Sequence, residues 1–221
     1  MIEDLGFDDK RLSTDLRLGF PFKRVLPPCV YNTIETLVAD QAFVTETELL
    51  RMRPEMNRRV LAACMEVDFT EDVWLSTTDE STEGITSEPS PIFDEDLAKC
   101  TFTRRLPVRE ERSKGWRTRM VDHFTESQVN CATVLSDKTQ QDSIDVQVVS
   151  VLRHVQLGHT PRPWKRDVTK NFRSTTIAQR RLQYSWEVFK WLRSLWKAQH
   201  EAQPFGSVSA AYAWHRIANF L

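Results

Sequence analysis

Tyr184-Ser185-Trp186-Glu187-Val188-Phe189-Lys190-Trp191-Leu192-Arg193-Ser194-Leu195-Trp196-Lys197-Ala198-Gln199 is the stretch on which the fold turns. Leu182, Trp186, Phe189, Leu192 and Trp196 recur at steps of four, three, three and four, the spacing of one face of an amphipathic helix. The same segment also admits a hairpin. Tyr184, Trp186, Val188 and Lys190 alternate with Ser185, Glu187 and Phe189, and aromatic and β-branched residues suit a pleated surface. A helix here would make the second half of the chain helical, whereas a hairpin would make it α+β.

Downstream, residues 207–221 read as a helix after a turn at Gly206, with Ala210, Ala211, Trp214, Ile217 and Ala218 on its buried side. Upstream, Ile144, Val148, Val151, Leu152 and Val155 have helical period behind a cap at Asp142-Ser143. Thr101–Val108 and Trp116–Phe124 are compatible with two strands joined by a charged turn at Glu110–Gly115. Ile34, Leu37, Val38 and Ala42 open a helical region over 33–66. Thr45-Glu46-Thr47-Glu48 offers a capped second start there, and Pro54 is expected to split or kink the helix. Residues 1–30, with Pro21, Pro27 and Pro28, read as linker-like. From Glu66 to Asp96 there are eleven acids and no Lys or Arg, a composition expected to stay disordered. The organisation expected is a helical region at 1–66, an acidic disordered linker at 67–100 and a folded unit at 101–221.

The 221 residues carry a net charge of −1, but the halves differ. Residues 1–100 hold 10 basic and 21 acidic side chains, and residues 101–221 hold 20 and 10. Between Arg153 and Lys197, eleven basic residues are interleaved with Trp164, Phe172, Tyr184, Trp186, Phe189, Trp191 and Trp196, a mixture suited to nucleic-acid backbones and bases. The bland reading of the same residues is a set of solvated amphipathic faces. Cys29, Cys64, Cys100 and Cys131 lie too far apart for a paired metal motif, so buried free thiols in an intracellular protein, cytoplasmic or nuclear, are expected. No apolar run reaches the length of a bilayer, and the acidic N-terminus does not resemble a signal peptide. His200 and His215 have no partner pattern for zinc and read as polar surface or capping residues, while His154 and His159 lack an acid or Cys at ligand spacing.

Three segments carry a resemblance. Trp164-Lys165-Arg166-Asp167-Val168-Thr169-Lys170-Asn171-Phe172-Arg173 resembles motif A of reverse transcriptases. Gln203-Pro204-Phe205-Gly206-Ser207-Val208-Ser209-Ala210-Ala211-Tyr212-Ala213-Trp214 resembles their motif B. Residues 116–130 are similar to the fingers segment that retrotransposon-type polymerases spell Arg-x-x-Asp-Asp-Phe-Ser-x-Ser-x-Val-Asn, with His123 at the second acid. The resemblance covers 101–221 and implies an α+β fold: polymerase fingers and a partial palm with antiparallel hairpins and packed helices. It also implies a short helix at 170–175 and strands near 184–191 and 195–201, so the hairpin reading is the one expected. The family's Tyr-x-Asp-Asp turn does not occur in this sequence. A truncated or decayed polymerase, inactive as this chain alone, is therefore expected, with a completing chain or oligomer as a further possibility.

The parent activity is nucleotidyl transfer from a dNTP onto a primer, which needs divalent metals held by oxygen ligands. The resemblance implies Asp167 as the catalytic ligand of Mg2+, assisted by the Val168 carbonyl. It implies Arg119 on the incoming triphosphate, braced by Asp122 or His123. Phe172 would lie under the sugar, and Phe205 and Gly206 beside the nucleotide and template base. The alternative expectation is a non-catalytic nucleic-acid-binding or interaction module.

Overall fold

The computed structural model describes residues 9–22, 25–26, 33–35, 44–113, 115–135, 137–139, 144–162 and 171–218. In chain order the elements are α1 (Leu12–Leu18), β1 (Val25–Leu26), β2 (Thr33–Glu35), α2 (Glu46–Cys64), α3 (Thr70–Thr82), β3 (Ser90–Pro91), α4 (Asp96–Lys99), β4 (Phe102–Arg112), β5 (Gly115–Asp122), β6 (Val134–Leu135), β7 (Asp137–Thr139), α5 (Ile144–Gln156), β8 (Trp186–Trp191), β9 (Ser194–Gln199) and α6 (Val208–Ala218). Short 3-10 helices occupy Asn171–Ser174 and Gln179–Tyr184.

The stretch 184–199 is a hairpin. Trp186 faces Gln199 and Trp191 faces Ser194 in antiparallel register, with Leu192 at the turn in a left-handed conformation (φ 54°). Two-sided burial favours this over the helix. Val188 packs with Val60, Cys64 and Phe102, and its neighbour Phe189 packs with Val73, Trp74 and Trp196, so adjacent residues enter different clusters. A helix would have kept only one stripe inside, and its stripe residue Leu192 is in fact 72% exposed. The hairpin joins a mixed five-stranded sheet of order β3-β9-β8-β4-β5. β4 runs parallel to β8 over Phe102–Arg104 and then antiparallel to β5 from Arg105 to Arg112. The expected strands at 101–108 and 116–124 are thus a longer hairpin with a tighter connection.

Helix α2 covers one face of the sheet and α3 the other. α2 begins at the expected capping box, in which Thr45 and Glu48 satisfy each other's backbone N–H groups. It runs unbroken through Pro54, so of the expected split or kink the split does not occur. Tertiary contacts on either side hold it: Arg53 donates to the carbonyls of Ala98 and Lys99 (both 2.9 Å), and Asn57 donates to those of Leu97 (2.9 Å) and Cys100 (2.7 Å).

Residues 67–100, expected as a disordered linker, instead form α3, β3 and α4. The composition argument failed because three of these acids are matched by cations from the second half rather than solvated. Asp72 meets Arg109 and Thr118, Glu80 meets Arg105 and Arg173, and Asp96 meets Lys197. Glu71 and Asp72 in the first turn of α3 also suit its positive end. The N-terminal stretch is likewise folded where it is described. Asp9 and Asp15 bind Arg216 of α6, and Leu12 and Phe20 are buried with Ala213. Thr33–Glu35, expected as helix, is a strand paired with Asp137–Thr139. Within α6 the buried side is Ser209, Ala210, Tyr212, Ala213 and Arg216, rotated from the expected set because Arg216 turns inward to its acids. Helix α5 forms as expected, with Val148, Val151, Leu152 and Val155 exposed. Among the described residues no helix is long and apolar enough to cross a membrane.

Candidate functional site

Three separated segments meet at the end of β5. After Asp122 the chain makes consecutive turns through Phe124–Thr133, ordered by the Phe124 carbonyl accepting from Asn130 N–H and by Ser127 Oγ donating to the Phe124 carbonyl. This brings Asn130 against the Pro204-Phe205-Gly206 turn. Asn130 Nδ2 donates to the Gly206 carbonyl (2.9 Å), and its Oδ1 accepts from Val208 N–H (3.1 Å) at the start of α6. Gly206 has φ +92°, and a Cβ there would overlap the Asp122 carbonyl oxygen, so both the angle and the close approach require glycine. Gln203 is fully buried and pinned: its N–H donates to the Thr175 carbonyl (2.8 Å) and its Oε1 accepts from Ser209 Oγ (2.9 Å). Phe205, 39% exposed, meets Phe172 edge-on with ring centres 5.3 Å apart, and the Arg173 guanidinium lies 5.7 Å from the Phe205 ring centre. Phe172, Phe205 and Gly206 are therefore brought together.

Beneath them lies a buried ion network that the sequence did not announce. Arg105 is fully buried and forms a close pair with Glu187; it also meets Glu80 at 2.9 Å and Asp122 at 3.8 Å. Arg173 meets Glu80 at 3.2 Å and Asp122 at 3.9 Å. His200, expected at the surface, is fully buried: its Nε2 lies 2.9 Å from Glu187 and 3.2 Å from Asp122, and its Nδ1 lies 2.9 Å from Arg173 Nη1. Burial works against a charged Glu187, yet Arg105 and His200 hold its pKa well below the ordinary value. Burial also disfavours an imidazolium at His200, but the carboxylates of Glu187 and Asp122 outweigh it and the His200 pKa is raised. The Arg173 contact needs a lone pair on Nδ1, so a proton at that nitrogen and the contact exclude one another. No single-residue signal marks this network, because its members lie in α3, β4, β5, β8 and the segments after Asn171 and Gln199.

Glu80, Glu187 and His200 bring potential metal-binding atoms within 4.8 Å of one another. They do not suit magnesium, which keeps octahedral oxygen ligands and several waters. Arg105 occupies Glu187 and Glu80, and Arg173 occupies Glu80 and His200, so the carboxylates are already neutralised by guanidinium groups. Asp167 and Val168, expected to hold the metal, lie outside the described residues.

Arg119 stands apart from the converged residues. Along β5 it precedes Asp122 by three positions, about 10 Å, and strand alternation turns its side chain to the other sheet face. There it is exposed and meets Glu110 at 3.3 Å. Neither expected brace reaches it: Asp122 belongs to the buried network, and His123 is exposed with its Nδ1 accepting from Glu126 N–H. Cys64 and Cys100 are buried free thiols as expected, with burial pushing their pKa values up to about 12 and about 11. His154 and His159 are exposed, with their Nδ1 atoms 3.1 Å apart.

No protein-family model matches the chain, and a search of curated proteins finds no match.

Proposed function

We propose that this chain carries the fingers and palm motifs of a reverse-transcriptase-like polymerase of retrotransposon type and, having no Tyr-x-Asp-Asp in this sequence, is inactive as this chain alone. The observation that carries the reading is the docking of Asn130 and the Asp122 carbonyl onto the Gly206 turn, with Phe172 against Phe205. The described parts of three segments that resemble successive motifs of one family, scattered over about ninety residues, meet at one place. Chance matches to unrelated surface segments give no reason for such a meeting.

In this reading Phe172 and Phe205 present aromatic edges to a sugar and a base, and Gly206 lets backbone approach the nascent pair. The buried network keeps Arg173 beneath Phe205. Magnesium would be held by Asp167 and the Val168 carbonyl and would supply activation of the primer hydroxyl. A second reading, a non-catalytic nucleic-acid-binding module, draws on one specific feature: Asp122 is committed to Arg105, Arg173 and His200 rather than to a nucleotide-binding Arg.

The test is fluorescence anisotropy of the full chain with a primed template and with a single strand, followed by primer extension with Mg2+ and dNTPs. Binding that weakens as salt rises, without extension, is expected. Phe205→Ala should weaken binding severalfold. Undetectable binding to both nucleic acids overturns both readings, and extension by the chain alone overturns the inactivity.

A further inference from the structure

The outer face of the β4–β5 hairpin carries an arrangement that the polymerase-like reading does not use in full. Glu110 lies directly opposite Arg117 in the antiparallel register. Arg112 follows Glu110 by two residues on β4, and Arg119 follows Arg117 by two on β5, so strand alternation puts all four on one face. Arg112 Nη2 donates to Glu110 Oε2 at 2.8 Å, and Arg119 Nε lies 3.3 Å from the same oxygen. Two guanidinium groups thus contact one carboxylate and a third cation, Arg117, stands directly across the strand pair from it and favours its charge, leaving a local excess of two positive charges. Arg109, on the other face of β4, and Arg104 are paired elsewhere, with Asp72 and Glu126.

We propose that Arg112, Arg117 and Arg119 form a seat for a phosphate group and that Glu110 is its internal occupant, which an incoming phosphate displaces. A carboxylate accepted by convergent guanidinium groups presents the oxygen geometry that a phosphate offers, with less charge and fewer acceptors. The side chains of Arg112, Glu110 and Arg119 are 49%, 36% and 46% exposed, so the seat is open to solvent. Exposed carboxylate–guanidinium pairs are weak, so a dianionic phosphate has little to overcome. The three cations also hold the Glu110 pKa below its ordinary value, the hydrogen bond from Arg112 first, so the carboxylate occupies the seat as an anion throughout the neutral range. The source is either a nucleoside triphosphate or the phosphodiester backbone of a single strand. The inference deepens the polymerase-like reading by giving Arg119 two partners and an intramolecular competitor, and it rests on that reading only for the choice between the two sources.

The experiment uses the full chain as wild type, Glu110→Gln, Arg117→Ala and Glu111→Gln. Inorganic tripolyphosphate, dATP and a labelled twelve-nucleotide oligothymidylate are titrated by calorimetry or anisotropy, with circular dichroism as a check on folding. Glu110→Gln should bind at least one phosphate ligand about 3- to 10-fold more tightly, as removal of one competing charge-assisted bond allows. Arg117→Ala should lose that binding severalfold. Glu111→Gln, which removes the same charge from the opposite strand face, should change nothing. The ligand with the larger gain names the source. No gain in Glu110→Gln for any of the three, or an equal gain in Glu111→Gln, overturns the seat. Tripolyphosphate requires neither template nor primer, so the polymerase-like reading can fail at primed-template binding while the seat stands.

Discussion

Gly206 is the residue at which conformation and contact are both decided. Its φ of +92° is one that side chains rarely adopt, and the Asp122 carbonyl occupies the space of a Cβ. Gly206→Ala is expected to destabilise the fold by about 1–3 kcal/mol from backbone strain alone, with displacement of the Asp122 carbonyl added. A lowered urea midpoint at unchanged m-value, together with weaker nucleic-acid binding, would register it. A wild-type midpoint would mean that the turn is looser than the structure describes.

The titrating pair in the buried network sets a pH window. Glu187 has a depressed pKa, so its contribution to stability is present above the unfolded value of about 4.5 and is lost as pH falls through the folded one. His200 has a raised pKa, so its contribution is full below about 6.5 and is lost as pH rises through the folded value. As His200 gives up its proton, the contact between Nδ1 and Arg173 becomes available and offsets part of the alkaline loss. Maximum stability is expected between those limits. In urea melts across pH, Glu187→Gln should flatten the acid limb and His200→Gln the alkaline limb. An alkaline limb untouched by His200→Gln would assign it to another group.

At the scale of elements, the junction between α2 and β4 depends on Asn57, which is fully buried and donates to the carbonyls of Leu97 and Cys100 while its Oδ1 accepts from Phe102 N–H at 3.0 Å. Asn57→Ala leaves three backbone groups without that partner and should cost about 3 kcal/mol, read from the urea midpoint. A loss below ~1 kcal/mol would indicate that water substitutes for the amide. Elements of this kind divide into those a sequence displays and those it conceals. The capping box at Thr45 and the helical period of 144–156 are local signals, and both elements formed. The 186–199 hairpin was locally ambiguous, because aromatic residues at helical steps also alternate along a strand. What decided it was burial on both faces, a property of α2 and α3 rather than of the hairpin. Helix α3 was concealed for the converse reason: Asp72 and Glu80 look solvated until Arg105 reaches Glu80, Arg109 reaches Asp72 from 37 positions away and Arg173 reaches Glu80 from 93 positions away. Phe172, Phe205 and Gly206 were legible through motif spelling, whereas the ion network beneath them has no spelling at all.

At the scale of the molecule, the opposite charges of the two halves act as an attachment between them rather than as a boundary. Glu46 pairs with Arg181, Asp72 with Arg109, Glu80 with Arg105 and Arg173, Asp96 with Lys197, and Asp9 and Asp15 with Arg216. Apolar packing crosses the same line, since Val60 and Cys64 cover Phe102 and Val188 while Val73 and Trp74 cover Phe189. A fragment of residues 101–221 would uncover both sheet faces, strip Arg216 of both of its acids and leave Arg105 and Arg173 without Glu80. Removing one partner of a buried pair costs about 3–5 kcal/mol, and whole domains have only about 5–15 kcal/mol to lose. The fragment is therefore expected to be unfolded or aggregated, with collapsed amide dispersion in its NMR spectrum. Adding a separately made 1–100 fragment should restore dispersed resonances at a 1:1 ratio, because the missing helices and acids arrive together. Cooperative unfolding of 101–221 alone would show that the second half is self-sufficient and that the ion pairs across the line decorate its surface.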